Sequence, residues 1–199
     1  MIKKYYSLSF LIFSFLLLTA RSGFAQSMLS KGAAAPVFTA KASLAGSEFE
    51  FSLKKALAKG PVVIYFYPSA YTGGCDIEAH AFAELKEKFT AAGATIIGVS
   101  ADDIQRLNKF SSDPNYCAGK FPVASDPDGK IAATYGLTMA ASKVGMKDVL
   151  GQDLNHGFIA RTTFVIDKEG KIVAVLSSSN DHISPADHVE KALAIVKTL

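Results

Sequence analysis

The middle of the chain has two short, unbroken hydrophobic runs with a helical pattern between them. The runs are PVVIYFYP at residues 61–68 and ATIIGVS at residues 94–100. Unbroken apolar runs rich in β-branched and aromatic residues indicate strands that are buried on both faces. Across residues 76–92 the apolar positions recur every three or four residues, which predicts a helix that stops at Gly93. We therefore expect a βαβ unit whose two strands are parallel.

The segments around this unit predict further elements. ASLAGSEFEFSLKKALAKG, residues 42–60, predicts a short hairpin followed by one helical turn. A second helix is expected to begin near Asp102 or Asp103. After it weakens, Pro114 is expected to start a short helical turn, with Cys117 on that turn or just after it. Residues 137–160 are rich in glycine and weakly patterned, and we interpret them as a surface excursion.

The remaining segments complete an ordered series of strands and helices. FPVASDPDG (residues 121–129) predicts a short extended piece with a turn, and KIAATYG (130–136) predicts a brief helix. RTTFVID (161–167) and KIVAVLSS (171–178) predict an antiparallel hairpin. The end of the chain, residues 184–199, predicts a helix that begins with a capping serine and a proline. The order βαβα followed by ββα is typical of the thioredoxin-like fold, an α/β fold with a central mixed sheet and flanking helices.

The first 25 residues have a different character from the rest. Lys3 and Lys4 precede the apolar run LSFLIFSFLLLTA, and cleavage after Ala25 would put Gly23 and Ala25 at the small-residue positions that a signal peptidase needs. This pattern predicts a secretory signal peptide at residues 1–25 and a single domain at residues 26–199. The run is shorter than the roughly 20 residues that span a bilayer, although an uncleaved anchor is the alternative. We therefore expect an exported protein, in the periplasm or outside the cell, with no membrane attachment after cleavage.

The net charge does not point to a charged partner. The formal charge of +3 arises from Lys3, Lys4 and Arg21, because residues 1–25 contain no acid. In the remaining chain 18 Lys and Arg residues balance 18 Asp and Glu residues. The sequence thus gives no support for binding to nucleic acid or to an anionic membrane surface.

The chain has two cysteines, Cys75 and Cys117, and the position of Cys75 suggests chemistry. It lies between the first buried strand and the next helix, where unpaired backbone N–H groups favour an anion such as a thiolate. At such positions the pKa of a thiol can fall well below its usual value of about 8.5. Pro68 ends the strand and can shield the sulfur, and Thr72 offers a hydroxyl group to the sulfur or to a substrate oxygen. In an exported protein the two cysteines could instead form a structural disulfide.

The residues before Cys75 resemble a known active site. PSAYTGGC, residues 68–75, resembles the PxxxTxxC motif of the peroxiredoxins, and YFYPSAYTGGCDIEAHAFAEL is similar to their Q-type subfamily, the bacterioferritin comigratory proteins. FPVASDPDGKIAATYG and RTTFVIDKEGKI resemble later segments of that subfamily. The resemblance implies a thiol peroxidase that reduces hydrogen peroxide and organic hydroperoxides. Cys75 would attack the peroxide and become a sulfenic acid, assisted by Pro68, by Thr72 and by Arg161, which would stabilise the negative charge.

The resemblance also bears on the second cysteine. Many Q-type proteins carry a resolving cysteine five residues after the first, where this chain has His80. Another group places it on the next helix, and NYCAGKFPVASD resembles that arrangement, which implies a catalytic disulfide between Cys75 and Cys117. We interpret His80 as a partly exposed helical histidine rather than an acid–base group.

Three alternatives to this catalytic pair remain. The protein could be a one-cysteine peroxidase in which Cys117 is a spectator, or a binding module with a permanent structural disulfide. It could also be a disulfide exchanger, although the absence of a CxxC motif argues against this.

The expected partners are small molecules and a thiol reductant. The resemblance implies a thioredoxin-like protein or a small thiol as reductant, which must act outside the cytosol. No organic cofactor is implied, and two cysteines with 41 residues between them do not match the spacing of a zinc site. A monomer is expected, because an intramolecular disulfide needs no second chain.

Overall fold

The computed structural model describes Met1 and residues 27–199. Apart from Met1, the predicted signal peptide lies outside these residues. No helix in the described part of the chain is long and apolar enough to cross a membrane.

The described residues form nine strands and six helices. In chain order these are β1 (Thr39–Leu44), β2 (Ser47–Ser52), α1 (Leu53–Leu57), β3 (Val62–Phe66), α2 (Gly73–Ala91), β4 (Thr95–Ser100), α3 (Ile104–Ser112), β5 (Val123–Ser125), α4 (Lys130–Thr134), β6 (Met139–Ala140), β7 (Phe158–Ile159), β8 (Thr162–Ile166), β9 (Ile172–Ser177), α5 (Ser178–Asp181) and α6 (Pro185–Val196).

Seven strands form the central sheet, in the order β2-β1-β5-β4-β3-β8-β9. Strand β3 is parallel to β4 and antiparallel to β8, and β4 is parallel to β5. All five residues of β3 are buried, as an unbroken apolar run predicts for a central strand. The predicted βαβ unit, the β8–β9 hairpin and the thioredoxin-like mixed sheet are therefore confirmed.

Hydrophobic residues pack on both faces of this sheet. Val63, Tyr65 and Tyr67 join a core with residues of α2, α3 and α6. Val62 and Ile64, with the opposite orientation, join a second core with residues of α1 and α4. This alternation follows from the period of two along a strand. Cys75 and Cys117 both belong to the first core, so the candidate chemistry lies on the α2 face of the sheet.

Helix α2 begins earlier than the apolar pattern predicted. The expected start was Asp76, whereas the helix runs from Gly73. Thr72 is in the extended conformation before it, and its carbonyl oxygen accepts bonds from the Cys75 N–H at 2.7 Å and the Asp76 N–H at 3.1 Å. Glycines carry no apolar pattern, which is why the pattern missed this turn. Cys75 consequently lies inside the first turn of the helix.

The expected helical turn around Cys117 was wrong. Residues 114–119 form consecutive turns instead of a helix. The carbonyl oxygen of Asp113 accepts bonds from the N–H groups of both Tyr116 and Ala118, at 3.1 and 2.9 Å. Ala118 and Gly119 have φ angles of 51° and 67°, in the left-handed region that a right-handed helix excludes. Such an alanine is strained, so this segment is held by its surroundings.

Residues 137–160, the excursion, are more closely attached to the domain than their weak pattern suggested. Strands β6 and β7 pair with each other outside the central sheet. Many residues between them are exposed, as predicted for a surface segment, but Asp148 and Leu154 are buried. The N–H of Val149 donates to the carbonyl oxygen of Tyr71 at 3.0 Å. The excursion therefore packs against the loop that precedes Cys75.

The last helix agrees with the prediction. The Ser184 hydroxyl accepts a bond from the Asp187 N–H and the Asp187 carboxylate accepts one from the Ser184 N–H, which forms a capping box. Pro185 stands in the first turn of α6, and the apolar stripe of the helix is buried. The short helix α5 was not predicted, because its four residues, SSND, carry no apolar pattern.

Candidate active site

The sulfur of Cys75 lies in an enclosed position beside a cation. Cys75 is only 2% exposed and lies at the N-terminal end of α2, past the carboxyl end of β3. The Nη2 atom of Arg161 donates to the sulfur at 3.1 Å. Arg161 is the residue just before β8 and lies 86 positions after Cys75 in the chain. Strand β8 pairs with β3, the strand that leads to Cys75. The sheet thus brings together the two residues that the motif and the later segment indicated.

The pKa of Cys75 does not fall as its position at a helix N-terminus suggested. Burial raises the pKa of this thiol above its ordinary value. Arg161, the Ser69 backbone and the Thr72 hydroxyl act in the opposite direction but do not outweigh burial. The sequence indicated the helix terminus but could not show how closely the surrounding residues enclose the sulfur. Formation of the thiolate therefore depends strongly on Arg161.

The other two motif residues occupy the loop between β3 and α2. The Thr72 hydroxyl donates to the Ser69 carbonyl oxygen at 2.7 Å and also lies close enough to Cys75 to lower its pKa. Pro68 is half-buried in the bend after β3. Thr72 therefore lies beside both the loop backbone and the Cys75 sulfur, whereas Pro68 lies where the loop begins.

A buried carboxylate, not predicted from the sequence, holds Arg161. Glu78 lies one helical turn after Cys75, is fully buried, and accepts a bond from Arg161 Nη1. The guanidinium group thus bridges the sulfur and the carboxylate with two different nitrogens. Burial raises the pKa of Glu78 to about 7, against the opposing effect of Arg161. The available signal was an acid three residues after Cys75 in CDIE, which places both on one helix face.

A histidine of α6 lies behind this carboxylate. His188 is fully buried, and its Nδ1 atom is 3.9 Å from Glu78 Oε1. That oxygen has no hydrogen-bond partner among the described residues. The hydroxyl groups of Thr163 and Ser178 lie 2.9 Å from His188 Nδ1 and Nε2 respectively. Burial, and secondly Arg161, lower the pKa of His188 to about 4, so the ring is neutral near pH 7.

A second buried carboxylate, Asp102, supports the loop before α2. It accepts hydrogen bonds from the Ser69 hydroxyl at 2.9 Å, the Ala70 N–H at 2.8 Å and the Ser100 hydroxyl at 2.7 Å. His156 of the excursion forms an ion pair with it at 2.9 Å. Burial alone would raise the pKa of Asp102, but the bonds from His156 and from the Ala70 N–H hold it below its ordinary value. This anion therefore fixes the backbone that leads to Thr72 and Cys75.

Arg106 connects the same loop to the excursion. Its Nη2 atom donates to the carbonyl oxygen of Ala70 at 2.8 Å and to the Asp148 carboxylate at 2.6 Å. Its Nε atom forms an ion pair with Asp102 at 2.9 Å. The guanidinium carbon lies 5.2 Å from the centre of the Tyr71 ring, which allows a cation–π contact. This role was not predicted from the sequence, because nothing in the local pattern distinguishes Arg106 from the other polar residues of α3.

Cys117 occupies a separate segment and is a free thiol, as is Cys75. It is fully buried, and burial, with Asp113 and Asp76 adding to it, raises its pKa well above the ordinary value. The Tyr71 ring packs edge-on against the Tyr116 ring at 5.2 Å, so the residue next to Cys117 contacts the loop of Cys75.

His80 is half-exposed, as expected, and belongs to the Cys117 side of the site. Its Nδ1 atom lies 3.1 Å from the carbonyl oxygen of Asn115, and its Nε2 atom lies 3.4 Å from Glu84. His80 therefore links α2 to the segment of Cys117. Within the described part of the chain, no three His, Cys, Asp or Glu side chains are grouped to hold a metal ion.

Comparisons with known proteins decide the family. The model of the AhpC/TSA family matches residues 31–175. The chain belongs to this family. It is 32% identical to the chloroplastic peroxiredoxin Q of Oryza sativa subsp. japonica over 181 residues, which are 91% of this chain and 73% of the relative.

Solved structures of similar proteins support the same assignment. Peroxidoxin BcpB from Mycobacterium tuberculosis superposes with a TM-score of 0.70 at 29% identity, covering 86% of this chain and 98% of its own. The bacterioferritin comigratory protein of Xanthomonas campestris, whose structure was described for its alkyl peroxide reduction activity, gives a TM-score of 0.61 at 30% identity. That match covers 79% of this chain and 90% of the Xanthomonas protein. This AhpC/TSA member is therefore a peroxiredoxin-type thiol peroxidase of the Q or bacterioferritin comigratory kind.

Proposed function

We propose that this peroxiredoxin reduces hydrogen peroxide and organic hydroperoxides with Cys75 as the attacking thiol. The observation that carries the proposal is the 3.1 Å contact between Arg161 Nη2 and the Cys75 sulfur at the start of α2. The Cys75 thiolate attacks one peroxide oxygen, the O–O bond breaks, and the second oxygen leaves as water or alcohol after taking a proton. Cys75 becomes a sulfenic acid. Arg161 and the N-terminal N–H groups of α2 stabilise the negative charge during this step.

The second step is an intramolecular disulfide between Cys75 and Cys117. The Cys117 sulfur attacks the sulfenic sulfur, the S–O bond breaks, and water leaves. A disulfide requires Cα atoms about 4.4–6.8 Å apart, whereas Cys75 is fixed in a helical turn and Cys117 in a buried turn segment. The first turn of α2, the Cys117 segment or both must therefore open locally. The left-handed Ala118 beside Cys117 favours opening on that side, because its backbone strain is relieved there.

A thiol reductant completes the cycle. Peroxiredoxins act on peroxides with thioredoxin-like reductants, and for this chain we propose a thioredoxin-like protein or a small thiol outside the cytosol. One dithiol protein, or two molecules of a small thiol, supply the two electrons and two protons that return the disulfide to two thiols, and the reductant leaves as its own disulfide. These steps need no metal or organic cofactor, since the protein's sulfur atoms pass the electrons from the thiol reductant to the peroxide oxygens. We also propose that the enzyme acts as a monomer, because both sulfurs come from one chain.

The direct test uses reduced protein and one equivalent of hydrogen peroxide. Intact mass and free thiols are measured for the wild type and for the Cys75→Ser and Cys117→Ser variants. Loss of two hydrogens and of both thiols, absent from each variant, is the expected result. An added oxygen on the wild type that also forms in Cys117→Ser would instead indicate a one-cysteine peroxidase. A wild type that does not react would refute the peroxidase proposal.

Localisation requires its own test. We propose that residues 1–25 direct export and are then removed, leaving a mature chain of residues 26–199. The apolar run after Lys3 and Lys4 supports this proposal. N-terminal sequencing of the protein from periplasmic and external fractions should give Gln26 as the first residue. Recovery of the intact N-terminus in a membrane fraction would favour the uncleaved anchor.

A further inference from the structure

The side chain and the backbone of Arg161 are both connected to His188, the side chain through Glu78 and the backbone through Ser178. At the side-chain end, Arg161 Nη1 bonds to Glu78, whose other oxygen lies 3.9 Å from His188 Nδ1. At the backbone end, the N–H of Ser178 donates to the Arg161 carbonyl oxygen at 3.3 Å. The Ser178 hydroxyl then lies 2.9 Å from His188 Nε2. We call these four residues, Arg161, Glu78, His188 and Ser178, the arginine ring.

We propose that His188 is a positioning residue for the catalytic Arg161, acting through Glu78 and Ser178. This inference rests on the proposed function, because it assigns His188 to the chemistry of Cys75. Unlike Arg161, His188 has no direct contact with the sulfur.

A neutral imidazole at position 188 presents a suitable nitrogen to each of its neighbours in the arginine ring, Glu78 and Ser178. A neutral ring has one N–H donor and one acceptor nitrogen. When Nδ1 carries the proton, it faces the Thr163 hydroxyl and the otherwise unpartnered oxygen of Glu78, while Nε2 accepts from the Ser178 hydroxyl. Full burial and the nearby Arg161 cation keep this ring uncharged near pH 7. His188 thus presents a polar edge to Glu78 without adding a second positive charge beside Arg161.

The guanidinium group of Arg161 lies in a tightly packed region near the start of α6, so its position depends on that helix. A Cβ atom built on Gly74 would lie 3.2 Å from Arg161 Nη2 and 3.2 Å from the Pro185 side chain. Pro185 begins α6 and His188 lies one turn further along it. Helix α6 therefore packs against Gly74, beside the guanidinium group, through Pro185 and lies close to Glu78 through His188. A shift of Glu78 after the loss of His188 would move Nη2 away from its 3.1 Å contact, because both nitrogens belong to one rigid plane.

The alternative is that His188 only fills space in the core. Substitutions that keep one of its two polar edges separate these possibilities. In His188→Asn the amide group can take the place of Nδ1, facing Thr163 and Glu78. In His188→Gln it can take the place of Nε2, facing Ser178. His188→Leu removes both polar edges, and His182→Asn is the matched control, because His182 is exposed and its φ of 52° suits asparagine.

The experiment uses the full chain in reduced form and measures two quantities. These are the second-order rate constant of Cys75 oxidation by hydrogen peroxide and the pKa of Cys75 from thiolate absorbance. His188→Leu is expected to react about tenfold more slowly, equivalent to about 1.4 kcal/mol of transition-state stabilisation. It should also have a higher Cys75 pKa. His188→Asn should recover most of the rate, His188→Gln less, and His182→Asn should match the wild type.

The outcomes separate this inference from the function on which it rests. A folded His188→Leu variant with the wild-type rate and the wild-type Cys75 pKa would overturn the role of His188 and leave the peroxidase proposal intact. A wild-type protein that does not react would overturn both. If His188→Leu does not fold, the Asn and Gln variants decide. Equal wild-type rates in both overturn the inference, and a slower Gln variant of equal stability supports it.

Discussion

Removing the Arg161 guanidinium tests the electrostatic basis of the active site. Arg161→Met keeps a long apolar side chain but loses the 3.1 Å contact with Cys75. Hydrogen bonds that involve a charged group contribute about 1.5–3 kcal/mol. The Arg161 side chain is only 11% exposed, so solvent screens this interaction weakly. We therefore expect Cys75 oxidation to slow by roughly 10- to 100-fold and the pKa of Cys75 to rise further above its ordinary value, because Arg161 now lowers it.

The same substitution should also destabilise the protein, and this effect can be separated from reactivity. Glu78 would lose its cation while fully buried, and breaking a buried ion pair costs about 3–5 kcal/mol. Protonation relieves part of this cost, since the pKa of Glu78 is already raised to about 7. The double variant Arg161→Met/Glu78→Gln has no unpaired charge at this position. It should therefore regain much of the stability while remaining slow.

Stopped-flow oxidation by hydrogen peroxide and denaturant unfolding measure the two effects on the same samples. Lys168→Met is the control, because its side chain is 71% exposed and it follows the end of β8 that is opposite to Arg161. If the double variant regained the wild-type rate together with its stability, Arg161 would act only through folding. Our electrostatic account of Cys75 would then be wrong.

Three further results are expected. His80→Ala removes the 3.1 Å link to the Asn115 carbonyl oxygen, so disulfide formation should become severalfold faster in rapid-quench mass spectrometry, while an unchanged rate would show that this link does not restrain opening. Gly74→Ala places a methyl group 3.2 Å from the Pro185 ring and from the guanidinium group, so peroxide oxidation should slow severalfold, and wild-type kinetics would count against the close packing. His188 binds a proton near its usual pKa of 6.5 when unfolded but only near 4 when folded. The unfolded state therefore binds more protons between these values, and the wild type should lose up to roughly 3 kcal/mol of stability relative to His188→Gln as the pH falls from 6.5 to 4. Denaturant unfolding at both ends of this range measures the difference, and a constant difference would contradict the lowered pKa.

Local sequence patterns were sufficient for the central part of the fold. Strands β3 and β4 are unbroken apolar runs, and Cys75 stands out after β3 because glycine and threonine precede it. The start of α2 was missed by three residues, since Gly73 and Gly74 have no side chains that could show a helical period. The pattern thus located Cys75 at a helix terminus but placed it just outside the first turn.

The partners of Cys75 and Arg161 could not be predicted from local patterns. Glu78 and Arg161 are 83 residues apart, and only the pairing of β8 with β3 brings them together. The pKa direction of Cys75 has the same origin, because its burial depends on packing from several elements. The excursion had no periodic pattern because polar contacts from Asp148 and His156, rather than an apolar face, attach it to the loop.

The attachment of the excursion at Asp102 has a consequence for building chimaeric enzymes. Residues 137–160 look like a segment that could be exchanged between relatives or cut down to a plain turn. Such a graft would remove His156 from Asp102 and Asp148 from Arg106, leaving one buried anion and one mostly buried cation each short of a partner. The loss would fall on the loop that carries Thr72 and Cys75. The transferable module is therefore the excursion together with its two anchoring side chains, and a recipient scaffold must supply the matching aspartate and arginine.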